Sequence, residues 1–176
     1  GTNWTARWGI STWSSVASSA DGTRLAVVAT GGYLFTSVNS GVSWNLRLSP
    51  TSWYSVSMSA DGTRLAAVAS GDWIYTSTDG GTNWATRGSV NAWRAVASSA
   101  DGRRLAAAAA GGALYLSEDA GLTWTARTTV RDWRAVALSA DGTRVVGAAN
   151  SDRIYTTPAA LTGPQGSAAT VQYLGD

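Results

Sequence analysis

Two sets of residues stand out as able to do chemistry. Trp13, Trp53, Trp93 and Trp133 follow one another at intervals of 40 residues, and Arg7, Arg47, Arg87 and Arg127 keep the same interval. An indole offers a face on which a sugar ring can stack, and a guanidinium offers a planar set of donors for hydroxyls or a carboxylate. Together they could form ligand sites repeated around one surface, with Tyr54, Asp72 and Asp152 as further binding candidates. The same residues also have a structural reading, in which each Trp packs between neighbouring units and an Arg stem covers it. Recurrence does not separate the two, because a repeating architecture makes its packing residues repeat as well.

The remaining chemistry is narrow. The chain has neither Cys nor His, which excludes disulfides, thiolate or imidazole metal sites, and any nucleophile that relies on either residue. Glycoside hydrolysis would need two facing carboxylates. The only Glu, Glu118, lies inside a turn motif, which leaves Asp72, Asp132 and Asp152, and neither Asp72 nor Asp152 has a sequence neighbour that would tune it. The expectation is a protein that is not an enzyme and needs no metal or cofactor. All 13 basic residues are Arg, and most recur singly rather than in a block, so a nucleic-acid patch is not expected. No run approaches the roughly 18 apolar residues of a membrane helix. Hydrophobic residues make up 44% of the chain and charged ones 14%, a balance that favours a folded core over disorder.

The elements that must position these side chains follow from the period. Trp4, Trp44, Trp84 and Trp124 form a second series at 40 residues, and Asp21, Asp61, Asp101 and Asp141 a third. Within one copy an alternating run from Trp53 reaches a turn at Asp61-Gly62. An apolar run from Arg64 to Ala69 then reaches a turn at Gly71, and Trp73 to Ser77 leads through a third turn to Trp84 to Arg87. Four short strands and three tight turns in about 40 residues are the content of a propeller blade. No segment carries a sustained 3.6-residue apolar stripe, so helices should be nearly absent.

The third turn carries a recognisable motif. Ser77 to Trp84 and Ser117 to Trp124 both read Ser-x-Asp-x-Gly-x-x-Trp, with Asp79, Gly81 and Trp84 in one and Asp119, Gly121 and Trp124 in the other. A degenerate copy from Ser37 to Trp44 has Asn39 at the Asp position, with Gly41 and Trp44 kept. These turns resemble the Asp-box, or BNR, repeat. The resemblance implies an all-β β-propeller like those of sialidases, sortilin-type receptors and photosystem II assembly factors. A sialidase-like site would need an Arg triad, a Tyr nucleophile with a Glu partner and an Asp acid, and the Arg-Ile-Pro segment that usually announces it is absent. The residues themselves read as structural: an Asp or Asn oxygen accepts backbone N–H bonds, Gly takes the positive φ, and Trp packs beneath. One carboxylate per turn is far short of the roughly six to eight oxygens of a calcium site.

Residues 1–160 make four whole periods, with blades starting near 13, 53, 93 and 133, and residues 161–176 read as a linker and one short extra strand. The simplest closure has residues 4–7 complete the last blade as a clasp, giving a four-bladed ring within one chain. Two chains forming an eight-bladed ring, or a piece of a longer propeller, are the alternatives. The Asp-Gly and third turns should share one face, leaving the connections between blades and the second turns on the other. The functional expectation is a non-catalytic binding module or protein-interaction scaffold using that second face, with a lectin-like carbohydrate-binding protein as the alternative. Partners would be protein or carbohydrate, and the setting extracellular or cell-surface.

Overall fold

In a computed structural model of the chain, residues 3–7, 9 and 11–157 are described. They form eleven strands and no helix. These are β1 (Trp13–Ser18), β2 (Leu25–Ser37), β3 (Asn45–Met58), β4 (Leu65–Ser77), β5 (Ala85–Ser98), β6 (Leu105–Gly112), β7 (Leu114–Ser117), β8 (Thr125–Ala126), β9 (Arg131–Leu138), β10 (Val145–Ala149) and β11 (Ile154–Thr156). All pairings are antiparallel. The 40-residue copies follow one another as antiparallel units, called blades below, whose first strands β1, β3, β5 and β9 lie each beside the next.

Each turn is made by the residues its sequence marks. At the Asp-Gly turns Gly22, Gly62, Gly102 and Gly142 have φ between 68° and 72°, a region open to Gly without a Cβ penalty. The second turn folds the chain back on itself: in the third blade Leu105 lies opposite Ser117 and Ala108 opposite Leu114, and in the fourth Val146 lies opposite Thr156.

The connections between blades differ from expectation. Instead of loops, residues 48–52 and 88–92 run inside β3 and β5. Each serves first as the outer strand of one blade and then as the inner strand of the next. The reason lies in the ladder: Ser52 and Thr51 pair with Thr30 and Gly32 of the preceding second turn, as Ala92 and Asn91 pair with Ser70 and Asp72. The backbone at Thr51, Ser52, Asn91 and Ala92 therefore has strand partners in place of solvent.

The core lies between blades. One cluster joins Ala26, Val28 and Leu34 of the first blade to Trp53, Val56 and Leu65 of the second, and the next joins Val68 and Ile74 to Trp93, Val96 and Leu105. Small Ala residues in β4 and β6 let these layers approach closely, and all of Ala66, Ala67, Ala69, Ala106, Ala107 and Ala109 are fully buried.

Closure by residues 4–7 is not what the structure shows. They form no strand, and Trp4 is 97% exposed, whereas its counterpart Trp84 packs into the core between the first two blades. The fourth blade has three strands among the described residues, β9, β10 and β11. Residues 161–176, read as a linker and extra strand, lie outside the described residues, as does the point where the fourth copy would reach its third turn.

Candidate functional site

The structure divides the expected site residues into three groups. The first is the inner-strand tryptophans. Trp53, Trp93 and Trp133 are essentially sealed from solvent, each meeting the Tyr of its own blade edge-on at 5.1 Å, Tyr75, Tyr115 and Tyr155 respectively. Trp53 and Trp93 donate their indole N–H to the carbonyls of Ser49 and Ser89. Side chains placed this way fill the core, and their faces are closed to a sugar ring. Trp13 differs, being 38% exposed, with its ring against Phe35 at 6.2 Å.

The arginine series is divided too. The Nε–H of Arg47 donates to the Thr36 hydroxyl at 2.8 Å, while Arg87 and Arg127 are half-buried and Arg7 is exposed. Asp72 accepts the backbone N–H of Trp73 and the hydroxyl of Tyr75. Asp152 likewise accepts from the Arg153 N–H and the Tyr155 hydroxyl and forms an ion pair with Arg131 at 2.6 Å. Both carboxylates thus cap the second turn that they sit in.

The third group is the set of turns. Asp79 accepts from the Ser77 hydroxyl and from the backbone N–H groups of Thr82 and Asn83, and the Gly81 N–H donates back to Ser77 Oγ. Asp119 and Asn39 hold the equivalent turns, and the Trp84 and Trp124 indoles donate to the carbonyls of Gly81 and Gly121. The turns also bond to the Asp-Gly loops of their own face, Gly80 N–H to the Thr63 carbonyl and Ala120 N–H to that of Arg103. Bonds from the Asn83 backbone and side chain hold the Asp79 carboxyl down to about 2, as expected for a carboxylate that accepts several donors.

A polar surface remains at the opposite rim, at the point where the copies differ. Ser14, Tyr54, Arg94 and Arg134 occupy one equivalent position directly after the inner-strand Trp. The Arg94 guanidinium lies over the Tyr54 ring at 4.2 Å, across the boundary between the second and third blades. Arg134 pairs with Asp132 at 2.6 Å, and Asn150 donates to the same carboxylate. Beside them Arg131 bridges Asp152 and the Tyr155 ring, 4.6 Å from its centroid. The hydrogen bond from Arg134 is the main cause that holds Asp132 below the ordinary carboxylate range, and the Arg153 N–H does so for Asp152. Arg131 and Arg134 are thus each paired with one carboxylate, whereas Arg94 is in no ion pair among the described residues; its Nε–H, like those of Arg87 and Arg127, is buried without a hydrogen-bond partner there. Chemically the patch is a receiver of carboxylate or carbonyl oxygens. The sequence signal for Arg94, Arg131, Asp132 and Arg134 was departure from the repeat. Regularity drew attention to the Trp series instead.

No family model matches this chain, and no curated protein matches it in sequence. Solved structures do match in fold. A Niastella koreensis GH74 enzyme superposes with a TM-score of 0.66 at 16% identity, over 83% of this chain and 28% of its own. Kuenenia stuttgartiensis hydrazine synthase gives 0.70 at 14%, over 89% of this chain and 48% of its own. YCF48 bound to a D1 peptide gives 0.54 at 16%, over 84% and 65%. The fold is a β-propeller. At these identities the likeness extends to the fold alone, and the chain spans less than two thirds of each of these longer chains. They include an enzyme and a peptide-bound protein, so the blades do not carry an activity with them.

Proposed function

We propose that this propeller is a non-catalytic protein-interaction module of the Asp-box type, whose rim patch receives a carboxylate-bearing peptide segment. The observation that carries the reading is Arg94, stacked on Tyr54 and in no ion pair among the described residues, with a second guanidinium, Arg134, nearby on the next inner strand. A peptide carboxylate or backbone carbonyl supplies the oxygens that this donor set lacks. The peptide bound to YCF48, a propeller of similar fold, supports a protein partner over a small molecule. Every carboxyl group with a shifted titration among the described residues is shifted downward. A general acid for glycoside hydrolysis needs the opposite shift, which favours binding over catalysis. With the indoles of Trp53, Trp93 and Trp133 buried, the lectin reading keeps only the partly exposed Trp13 of its series as a stacking surface.

The test is fluorescence anisotropy against a set of labelled peptides with free or amidated C-termini, run beside a glycan array. Arg94→Ala should weaken peptide binding by about tenfold or more, and Tyr54→Phe, which keeps the ring, should leave it nearly unchanged. Equal binding by Arg94→Ala and the parent chain, or binding only to glycans, would reject the rim as a peptide site.

A further inference from the structure

The three boundaries between blades use one interface repeated, and the two ends of the chain carry its unpartnered halves. On the leading side, Val56 and Val96 are buried against the preceding blade, but Val16 at the same position is 71% exposed. On the trailing side, Leu34, Ile74 and Leu114 are buried against the following blade, but Ile154 at the same position is 65% exposed. The loops agree. Arg24, Arg64 and Arg104 lie over Gly62, Gly102 and Gly142 of the next blade, so closely that a Cβ there would come within 2.4 to 2.6 Å of the Arg side chain. Gly22 has nothing within 4 Å of that point, and Arg144 is exposed. The backbone agrees as well. Ala20 donates to the Ala60 carbonyl, Ala60 to Ala100 and Ala100 to Ala140, while the Ala140 N–H and the Ala20 carbonyl have no such partner among the described residues.

A fourth observation fixes the register. Trp124 of the third blade packs among Ile74, Leu105 and Tyr115 and beside Gly88. One period later, Leu114, Val145, Tyr155 and Thr128 line a shallow apolar notch, open to solvent, between the third and fourth blades. The position that would fill it is 164, a Pro in this sequence, and Trp4 lies four whole periods before it. Trp4 is almost wholly exposed.

We infer that a second copy of this chain completes the ring, the first blade of each copy docking head to tail against the fourth blade of the other. Trp4 of one copy fills the notch of its partner, and residues 4–7 become the missing outer strand, Thr5 opposite Thr156 and Ala6 opposite Tyr155, as Thr125 and Ala126 stand opposite Leu116 and Tyr115. Among the described residues the two halves stay uncovered, and neither has a counterpart within the chain that reaches it. A second copy presents both halves in register, with the side chains that already form the internal boundaries. Such a heterologous contact forms a ring or runs on as a filament, and two four-bladed copies reach about eight blades, the upper end of the ordinary propeller range.

Light scattering coupled to size exclusion tests this directly. The parent chain should run at twice its 18.1 kDa mass. Val16→Arg and Ile154→Arg, each placing a charge on an exposed position, should run at the mass of one chain with unchanged circular dichroism. An equimolar mixture of the two variants keeps one intact boundary per pair and should return to the double mass. Trp4→Ala should raise the dissociation constant by about tenfold or more. A parent chain at single mass, a mass above two copies, or variants that stay paired would each overturn the inference.

Discussion

Trp93 and Trp13 begin equivalent strands, and the sequence around them is nearly the same, yet one is sealed and the other is open. In the third blade the ring of Trp93 meets Tyr115 and is covered by Val68 and Ile74 of the blade before it. In the first blade no preceding blade covers the ring among the described residues, and it meets Phe35 of its own blade. The difference teaches that burial in this fold is a property of the boundary between blades. A lone blade leaves its large side chains wet, as expected when each repeat cannot bury its apolar face alone.

The sharpest way to break this comparison is to truncate both rings in the Val16→Arg background, which keeps the first blade uncovered. Trp93→Ala should lose about 3–5 kcal/mol in urea unfolding, the range for emptying a large buried site, while Trp13→Ala should lose well under half of that. Equal losses would mean that the boundary is not where the stabilisation lies. A smaller contrast is expected at the glycines. Gly22 and Gly102 have φ of 72° and 69°, so an Ala at either pays about 1 kcal/mol for the left-handed backbone. At Gly102 the new Cβ also meets Arg64 at 2.6 Å, and Gly102→Ala should be the more damaging of the two by chemical denaturation.

The smallest effect should not distinguish the regions at all. Asp21, Asp61 and Asp141 are each held at about 2, first by the hydroxyl of the preceding Ser and then by the backbone N–H of the following Thr. Their folded value lies below the ordinary 3.8, so the stabilisation is full above about pH 4 and is lost as pH falls through 2. Replacing any one with Asn should flatten the acid limb of a stability profile slightly and by the same amount in each blade. A larger change at Asp61 than at Asp21 would show that the turns, too, depend on neighbouring blades.

Much of this was legible in the sequence, and for a physical reason. Period and turn type are local: Asp61-Gly62 and Ser77 to Trp84 make their own hydrogen bonds within a few residues, so their letters identify them. The destination of Trp53 was legible as one of two readings, packing between blades or facing a ligand, and the choice between them rests on residues of the preceding blade such as Val28 and Leu34. Val16 and Val56 are the same letter at the same place in the repeat, and only the presence of a neighbour separates them. The rim patch was half legible. Tyr54 was singled out, but its partner Arg94 lies across a blade boundary that no local pattern marks. The continuity of β3 and β5 was missed because Pro50 and Gly88 look like breaks, although both are accommodated inside a strand.

That continuity bears on how the molecule comes apart. Because Asn45–Met58 is one strand shared by two blades, a blade is a unit of sequence but not a unit of unfolding. Loosening the outer edge of the first blade pulls on the innermost strand of the second, and the opening passes along the arc rather than stopping at a boundary. Amide hydrogen exchange in the middle of the chain should therefore show one broad cooperative block, with faster exchange confined to the two ends in the single-chain Val16→Arg variant.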